Sequence, residues 1–172
     1  MSKKMWVVRP VPNFVNRLDN FLSEGMVAIG WPEVGDISGG LERSEMAKRL
    51  CGAYDHYLNE SKSDLSVAAG ILDRFVNHME PGDFVMVPDS EKVYIGEVTG
   101  RYLFRPELKG GGPDAGYPHW HPVRYLKGKE PFCTVKELPL GVRRAIDCNL
   151  TVFSINKGAQ AMWDFIDNRA AS

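Results

Sequence analysis

Two hydrophobic periods alternate along this chain, and each predicts a different element. Trp6–Arg9 is a short apolar run closed by Pro10 and Pro12, which predicts a strand. Phe14, Leu18, Phe21 and Leu22 then recur at i, i+4, i+7 and i+8, the spacing of a helix with one buried face. Gly25 stands where a left-handed residue ends such a helix. Met26–Trp31 predicts a second strand, stopped by Pro32. Residues 33–40, with three glycines and an Asp-Ile-Ser turn signal, predict irregular chain.

Residues 43–54 suit a helix with Met46, Ala47 and Leu50 inward. A second helix is predicted from about Asp64 to Met79, with Leu65, Ala68, Leu72, Phe75, Val76 and Met79 on its buried face and Ser63 as its N-cap. Pro81-Gly82-Asp83 turns the chain into a strand at Phe84–Val87, and Pro88–Glu91 makes a hairpin into Val93–Thr99. Arg101–Arg105 and Pro118–Leu126 predict two strands flanking the glycine-rich loop Lys109–Gly116. Leu138–Cys148 predicts a short helix and Thr151–Ile155 a last β-branched strand. Ala159, Met162, Trp163 and Ile166 mark a C-terminal helix capped by Asn156.

Six or seven short strands with helices inserted among the early ones predict one α+β domain over residues 1–172. Its helical insertion lies at about 43–80 and its C-terminal helix at about 157–168. Strands this short need protected edges, so the expected architecture is a small, strongly curved or closed β-barrel with flanking helices.

A length of 172 residues matches one domain, and 44% hydrophobic with 25% charged residues excludes a mainly disordered, collagen-like or coiled-coil chain. No apolar run approaches the roughly 18 residues of a membrane span, and Met-Ser-Lys-Lys-Met-Trp lacks the apolar core of a signal peptide. A cytoplasmic protein without a membrane partner is expected. Cys51, Cys133 and Cys148 include no Cys-x-x-Cys pair, so they read as reduced thiols.

The net charge of −1 is unevenly distributed. Residues 101–129 carry six bases against two acids, a net of +4, whereas residues 55–97 carry nine acids against three bases, a net of −6. A positive face of this kind attracts phosphates, and uneven solvated charge is the plain alternative.

Catalytic signatures are missing from the sequence. It holds no Gly-x-Ser-x-Gly elbow, no phosphate-cradling Gly-x-x-x-x-Gly-Lys-Ser/Thr loop and no Gly-x-Gly-x-x-Gly, so no catalytic residue and no cofactor is expected. Pro88-Asp89 with Glu91-Lys92 superficially resembles a metal-dependent nuclease motif. Glu91 and Lys92 are consecutive and lie in a turn, where they cannot share a strand face. His119 and His121 share one face of a strand, but no third metal ligand is identifiable, so no metal site is expected. Hydrogen bonds to backbone or phosphate are the alternative.

Aromatic and basic residues interleave in Arg101-Tyr102-Leu103-Phe104-Arg105 and again from Tyr117 to Tyr125. Cations neutralise phosphates and flat rings stack bases, so this mixture suits a nucleic-acid surface; alternating aromatics on strands equally build a core. Trp31 ends a strand and opens onto the 33–40 loop, where Asp36 and Ser38 offer an acceptor and a hydroxyl. An aromatic wall with a few polar groups at a barrel mouth suits a flat heterocycle.

Several short motifs then fall in a recognisable order: Trp6–Arg9, Gly25–Trp31, Gly35–Ser38, Pro81–Val85, Tyr94–Gly100, and Tyr117–His119 through Val123–Leu126. Together they resemble the PUA-like, EVE-related domain found at the front of Mrr-type and other modification-dependent restriction proteins, over about residues 5–155. The resemblance implies a small β-barrel and, by kinship with EVE, YTH and ASRA-like readers, a pocket for a flipped modified base. In YTH readers a cage tryptophan lies in a Gly-x-Trp segment at a strand end, and Trp31 matches it best. Tyr102, Phe104 and Trp120 are the candidates for the second wall. The nuclease or motor domain of the full restriction proteins has no counterpart here. The chain is therefore expected to be a recognition domain cut from a longer protein, or a stand-alone reader with a separate effector.

The sequence thus leads to a non-catalytic module for double-stranded DNA carrying a methylated or hydroxymethylated base, the targeting part of a restriction or defence system. Trp31, Asp36, Ser38, Tyr102 and Trp120 are the expected base pocket, and Arg101, Arg105, Lys109, His119 and Arg124 the expected backbone contacts. An effector nuclease domain or subunit is the expected protein partner. The alternatives are an RNA-binding PUA-like reader, a nucleic-acid-processing enzyme, and a barrel that binds a free nucleotide or another protein.

Overall fold

A computed structural model describes residues 2–59, 62–110 and 115–171. In chain order the strands are β1 (Met5–Val8), β2 (Met26–Ile29), β3 (Phe84–Asp89), β4 (Lys92–Val98), β5 (Leu103–Phe104), β6 (His119–Tyr125), β7 (Cys133–Thr134) and β8 (Val152–Ser154). The helices are α1 (Leu18–Glu24), α2 (Arg43–Ala53), α3 (His56–Asn59), α4 (Lys62–Asp73), α5 (Leu140–Ile146) and α6 (Ala159–Ala170). None of the described helices is long and apolar enough to cross a membrane.

The strands form one sheet in the order β2-β6-β4-β3-β1-β8, with β5 on β6 and β7 on β4. The sheet curls strongly into a half-barrel and remains open, with β2 and β8 at its ends. Closure was the expected protection for such short strands. At the β8 end a side chain serves instead, because Arg74 Nε donates to the Val152 carbonyl at 3.1 Å. Pairing is antiparallel except between β1 and β3, which run parallel because α1, β2, α2, α3 and α4 intervene between them.

Both faces of the sheet are covered. Trp6 and Val8 of β1 join Phe21, Met46, Leu50, Ala68 and Leu72 in one core, against α1, α2 and α4. Met5 and Val7 point the other way and join Leu138, Val142, Ile146, Met162 and Ile166 in a second core, against α5 and α6. This double burial makes the strands read as continuous apolar runs.

Several local expectations hold. Gly25 ends α1 at φ 64°, its amide donating to the Phe21 carbonyl. Residues 88–92 form the β3–β4 hairpin, with Ser90 left-handed. Others change. Phe14 is not helical: Pro12–Phe14 is a separate short turn, and α1 starts only at Leu18. Ser63 lies within α4, and Gly158, not Asn156, caps α6. The second long helix ends in a wider π turn at Arg74–His78. Residues 111–114 of the expected glycine loop lie outside the described residues.

Candidate functional site

The ends of β1 and β2 converge on one spot. After β1 the chain makes the Pro12–Phe14 turn, where Asn13 and Phe14 both take left-handed conformations at φ 53° and 62°. After β2 comes Gly30, and the Asn13 side chain occupies the space that a Gly30 Cβ would need. Asn13 Nδ2 donates to the Gly116 carbonyl at 2.5 Å, tying the turn to the chain entering β6. Trp31 is left-handed as well, at φ 58°, and starts the Pro32–Val34 turn. Its carbonyl accepts a hydrogen bond from His119 Nε2 at 3.1 Å.

The chain from the end of α2 into α3 supplies the opposite wall. Trp31 Nε1 donates to the Tyr57 hydroxyl at 2.9 Å, and the Glu33 amide donates to the Tyr54 hydroxyl at 3.2 Å. Tyr54 and Tyr57 meet edge to face with ring centres 6.2 Å apart, and His56 lies 4.1 Å from the Tyr57 ring. The result is a cavity of about 530 Å³ walled by Arg9, Trp31, Tyr54, His56 and Tyr57, with Phe14 standing at its mouth and Asn13, Asn149 and Thr151 as polar groups. Arg9 Nη2 also donates to the Ile146 and Cys148 carbonyls, each at 2.5 Å, so it fastens the α5–β8 loop beside the cavity.

A second cleft of about 660 Å³ lies between the 38–40 loop, residues 76–81, Arg101 and Tyr102. The expected base pocket is thus divided, with Trp31 in the first cavity and Ser38 and Tyr102 in the second. Asp36 lines neither. Its Oδ1 accepts the Ser38 amide at 2.9 Å and the Ser38 hydroxyl at 2.7 Å, bonds that hold its carboxyl below the usual range. Trp120 is 5% exposed and belongs to the core, its Nε1 donating to the Tyr117 carbonyl at 2.9 Å, so it is no pocket wall.

The expected backbone contacts divide too. Arg101 and Arg124 are exposed and Lys109 partly so, while Arg105 lies over the Trp120 ring at 4.7 Å. Arg105 and Arg124 each pair with a carboxylate, Glu107 and Glu97, at 2.5 Å. His119 is 0% exposed and cannot reach a phosphate.

The sequence model of a family described as "Domain of unknown function (DUF8426)" matches residues 15–145. The chain belongs to the DUF8426 family. No curated protein and no solved structure matches it. The part matching DUF8426 contains Trp31, Tyr54, His56, Tyr57 and His119, whereas Arg9 and the Pro12–Phe14 turn precede it.

In this DUF8426 domain, burial pushes His119 down to about 4, so the imidazole is neutral near pH 7. Its Nε2 proton goes to the Trp31 carbonyl, and Nδ1 accepts from the Tyr102 hydroxyl at 2.7 Å. Burial raises the Tyr102 phenol well above its ordinary value, which keeps that donor protonated. His121, also 0% exposed, donates from Nε2 to the Phe75 carbonyl at 2.6 Å, and burial lowers it likewise. Both histidines therefore tie backbone, one of the two roles open to them in sequence. Among the described residues no group of three His, Cys, Asp or Glu side chains is placed to hold a metal ion. The three cysteines are unpaired, and burial pushes Cys133 up to about 11.

Sequence reasoning missed Arg9, Phe14, Tyr54, His56 and Tyr57. The run Tyr54-Asp55-His56-Tyr57 after a helix was a usable signal, since three rings in four residues exceed what one buried helix face needs. No comparable signal marked Phe14, because Pro10 and Pro12 restrict only Arg9 and Val11 and leave a helix open from Pro12 onward.

Proposed function

We propose that this DUF8426 domain is a non-catalytic module that binds DNA carrying a modified base and takes that base into the Trp31 cavity. The observation that carries the reading is a half-buried indole, held by Tyr57, on the wall of an aromatic cavity of about 530 Å³. That size lies in the range of small-molecule sites, and apolar rings with a few convergent polar groups are the usual lining. The indole stacks on the base, while Asn149 and Thr151 replace Asp36 and Ser38 as readers of its polar edge. The curled sheet is read as an open form of the PUA-like, EVE-related scaffold, and the domain as the cytoplasmic targeting part of a restriction or defence system, working with an effector nuclease.

The phosphate grip falls to Arg101, Lys109, Arg105 and Arg124, on and around β5 and β6. The test is a titration of duplexes carrying 5-methylcytosine, 5-hydroxymethylcytosine, N6-methyladenine or plain bases, with wild type and Trp31→Ala. Wild type prefers one modified duplex, and Trp31→Ala loses about tenfold of that preference, since base stacking contributes roughly 1–3 kcal/mol. Unchanged discrimination in the variant would remove Trp31 from the site. Equal binding of all duplexes by wild type would sink the reading, and tighter binding of the matching RNA would move it to a ribonucleotide.

A further inference from the structure

Phe14 is the most exposed large apolar residue described, at 102% of its reference area, and it stands at the mouth of the Trp31 cavity. A flexible surface aromatic folds down onto apolar neighbours. Phe14 is held away from them by its backbone: two consecutive left-handed residues point the ring outward, a conformation that side chains bearing a Cβ avoid unless the surroundings impose it. Here the surroundings do impose it. The Phe14 amide donates to the Val11 carbonyl at 3.1 Å, the Val15 amide to Pro12 at 3.2 Å and the Arg17 amide to Pro10 at 2.7 Å. Asn13 is anchored on Gly116 and seated over Gly30. Val11 and Val15, at 36% and 43%, extend the apolar tip on both sides.

We infer that Phe14 is a wedge that enters the base stack of duplex DNA and fills the gap left by the base that the Trp31 cavity takes up. The inference rests on the reading proposed above and adds to it the substrate form, a duplex opened by the protein. A base leaving a duplex abandons two stacking neighbours, and proteins that distort duplexes offset that loss with an apolar side chain inserted between base steps. The insertion needs a rigid, solvated, flat or apolar group adjacent to the pocket. Phe14 has all of these properties, and a core or pocket-lining role explains none of its exposure. A ring that served only as a cavity wall would be shielded on one face by its neighbours.

The experiment compares Phe14→Ala, Phe14→Leu and Trp31→Ala on one preferred modified base presented in a duplex and in the single strand of the same sequence. A 2-aminopurine beside the modified base reports unstacking. Phe14 touches no core, so the variants keep the wild-type melting temperature. Phe14→Ala is expected to weaken duplex binding about tenfold, to leave single-strand binding within about twofold, and to abolish the fluorescence rise; Phe14→Leu restores most of both. Trp31→Ala weakens both substrates. Equal loss on both substrates for Phe14→Ala makes the ring a pocket wall, and no loss on the duplex makes it a bystander; either overturns the wedge while leaving the Trp31 reading intact. Wild type without preference for any modified base in either form overturns both together.

Discussion

His119 Nε2 donates to the Trp31 carbonyl at 3.1 Å, joining residues 88 positions apart. The sheet register makes this bond possible, because Ile29 pairs with His119 across β2 and β6, so the chain leaving β2 passes the imidazole two residues later. The bond fixes the backbone of a left-handed Trp31 while Tyr57 fixes the indole nitrogen. The ring is therefore oriented from both ends before any ligand arrives, which spares a ligand part of the ordering cost.

Burial of His119 makes stability depend on pH, and the bond to Trp31 offsets only part of that effect. His119 in the folded chain sits at about 4, against 6.5 ordinarily, so between those values the unfolded chain binds more protons. Stability from this group is full above about pH 6.5 and is lost as pH falls toward 4, by on the order of 3 kcal/mol. His121 acts in the same direction. Urea unfolding at pH 4.5 and pH 7 checks it: His119→Gln should show a shallower pH dependence than wild type, and an unchanged slope would remove the effect from this residue.

Gly30→Ala should loosen the whole rim. A methyl there lands on the Asn13 side chain, which is fastened to Gly116 and has little room to yield. The expected cost is about 2 kcal/mol, a drop in Tm of roughly 4–8 °C. Gly52→Ala is the control, since a Cβ there meets nothing within 4 Å. Thermal melts that show no difference between the two variants would contradict the packing described.

Much of the fold was legible because its signals are local. Gly25, Pro88–Lys92 and the Met46/Leu50 stripe each depend on neighbours in sequence, and each reads the same in the structure. What failed was long-range. Phe14 fits the i, i+4, i+7 stripe of α1 perfectly well by spacing, and only the left-handed turn that Asn13 makes against Gly116 ejects it into solvent. Trp31 was found because it ends a strand, but its partner Tyr57, and Tyr54 which holds the Glu33 amide, arrive from the end of α2 and from α3, which no periodicity encodes. His119 and Trp120 were placed on the surface because interleaved bases resemble an interface. Tyr102 and Phe104 lie against the His119 ring and Arg105 lies over the Trp120 ring, and both residues are buried.

Asp83 provides a test of the scaffold apart from the cavity. It is 6% exposed, with Oδ1 accepting the Lys4 amide at 3.0 Å and Oδ2 accepting Trp6 Nε1 at 2.8 Å and the Glu80 amide at 3.1 Å. Asp83→Asn turns one acceptor into a donor facing donors, and a cost of about 2–3 kcal/mol is expected. Chemical denaturation measures it. Because Asp83 lines neither cavity, modified-base binding at low temperature should persist, and loss of binding in a folded Asp83→Asn protein would mean the two regions are coupled.

The cations should not contribute equally to DNA binding. Each phosphate contact releases counterions, so removing one lowers the slope of log K against log salt by roughly one. Arg124 and Arg105 already face Glu97 and Glu107 at 2.5 Å, and a phosphate must compete with a carboxylate for each of them. No salt bridge involving Arg101 is found among the described residues, and it stands exposed at the edge of the second cleft. Arg101→Gln should therefore reduce the salt slope by about one, and Arg124→Gln by clearly less. Glu97→Gln, by freeing Arg124, should steepen the slope. Fluorescence anisotropy across a salt series decides between them, and identical slopes for all three variants would place the phosphate path elsewhere on the domain.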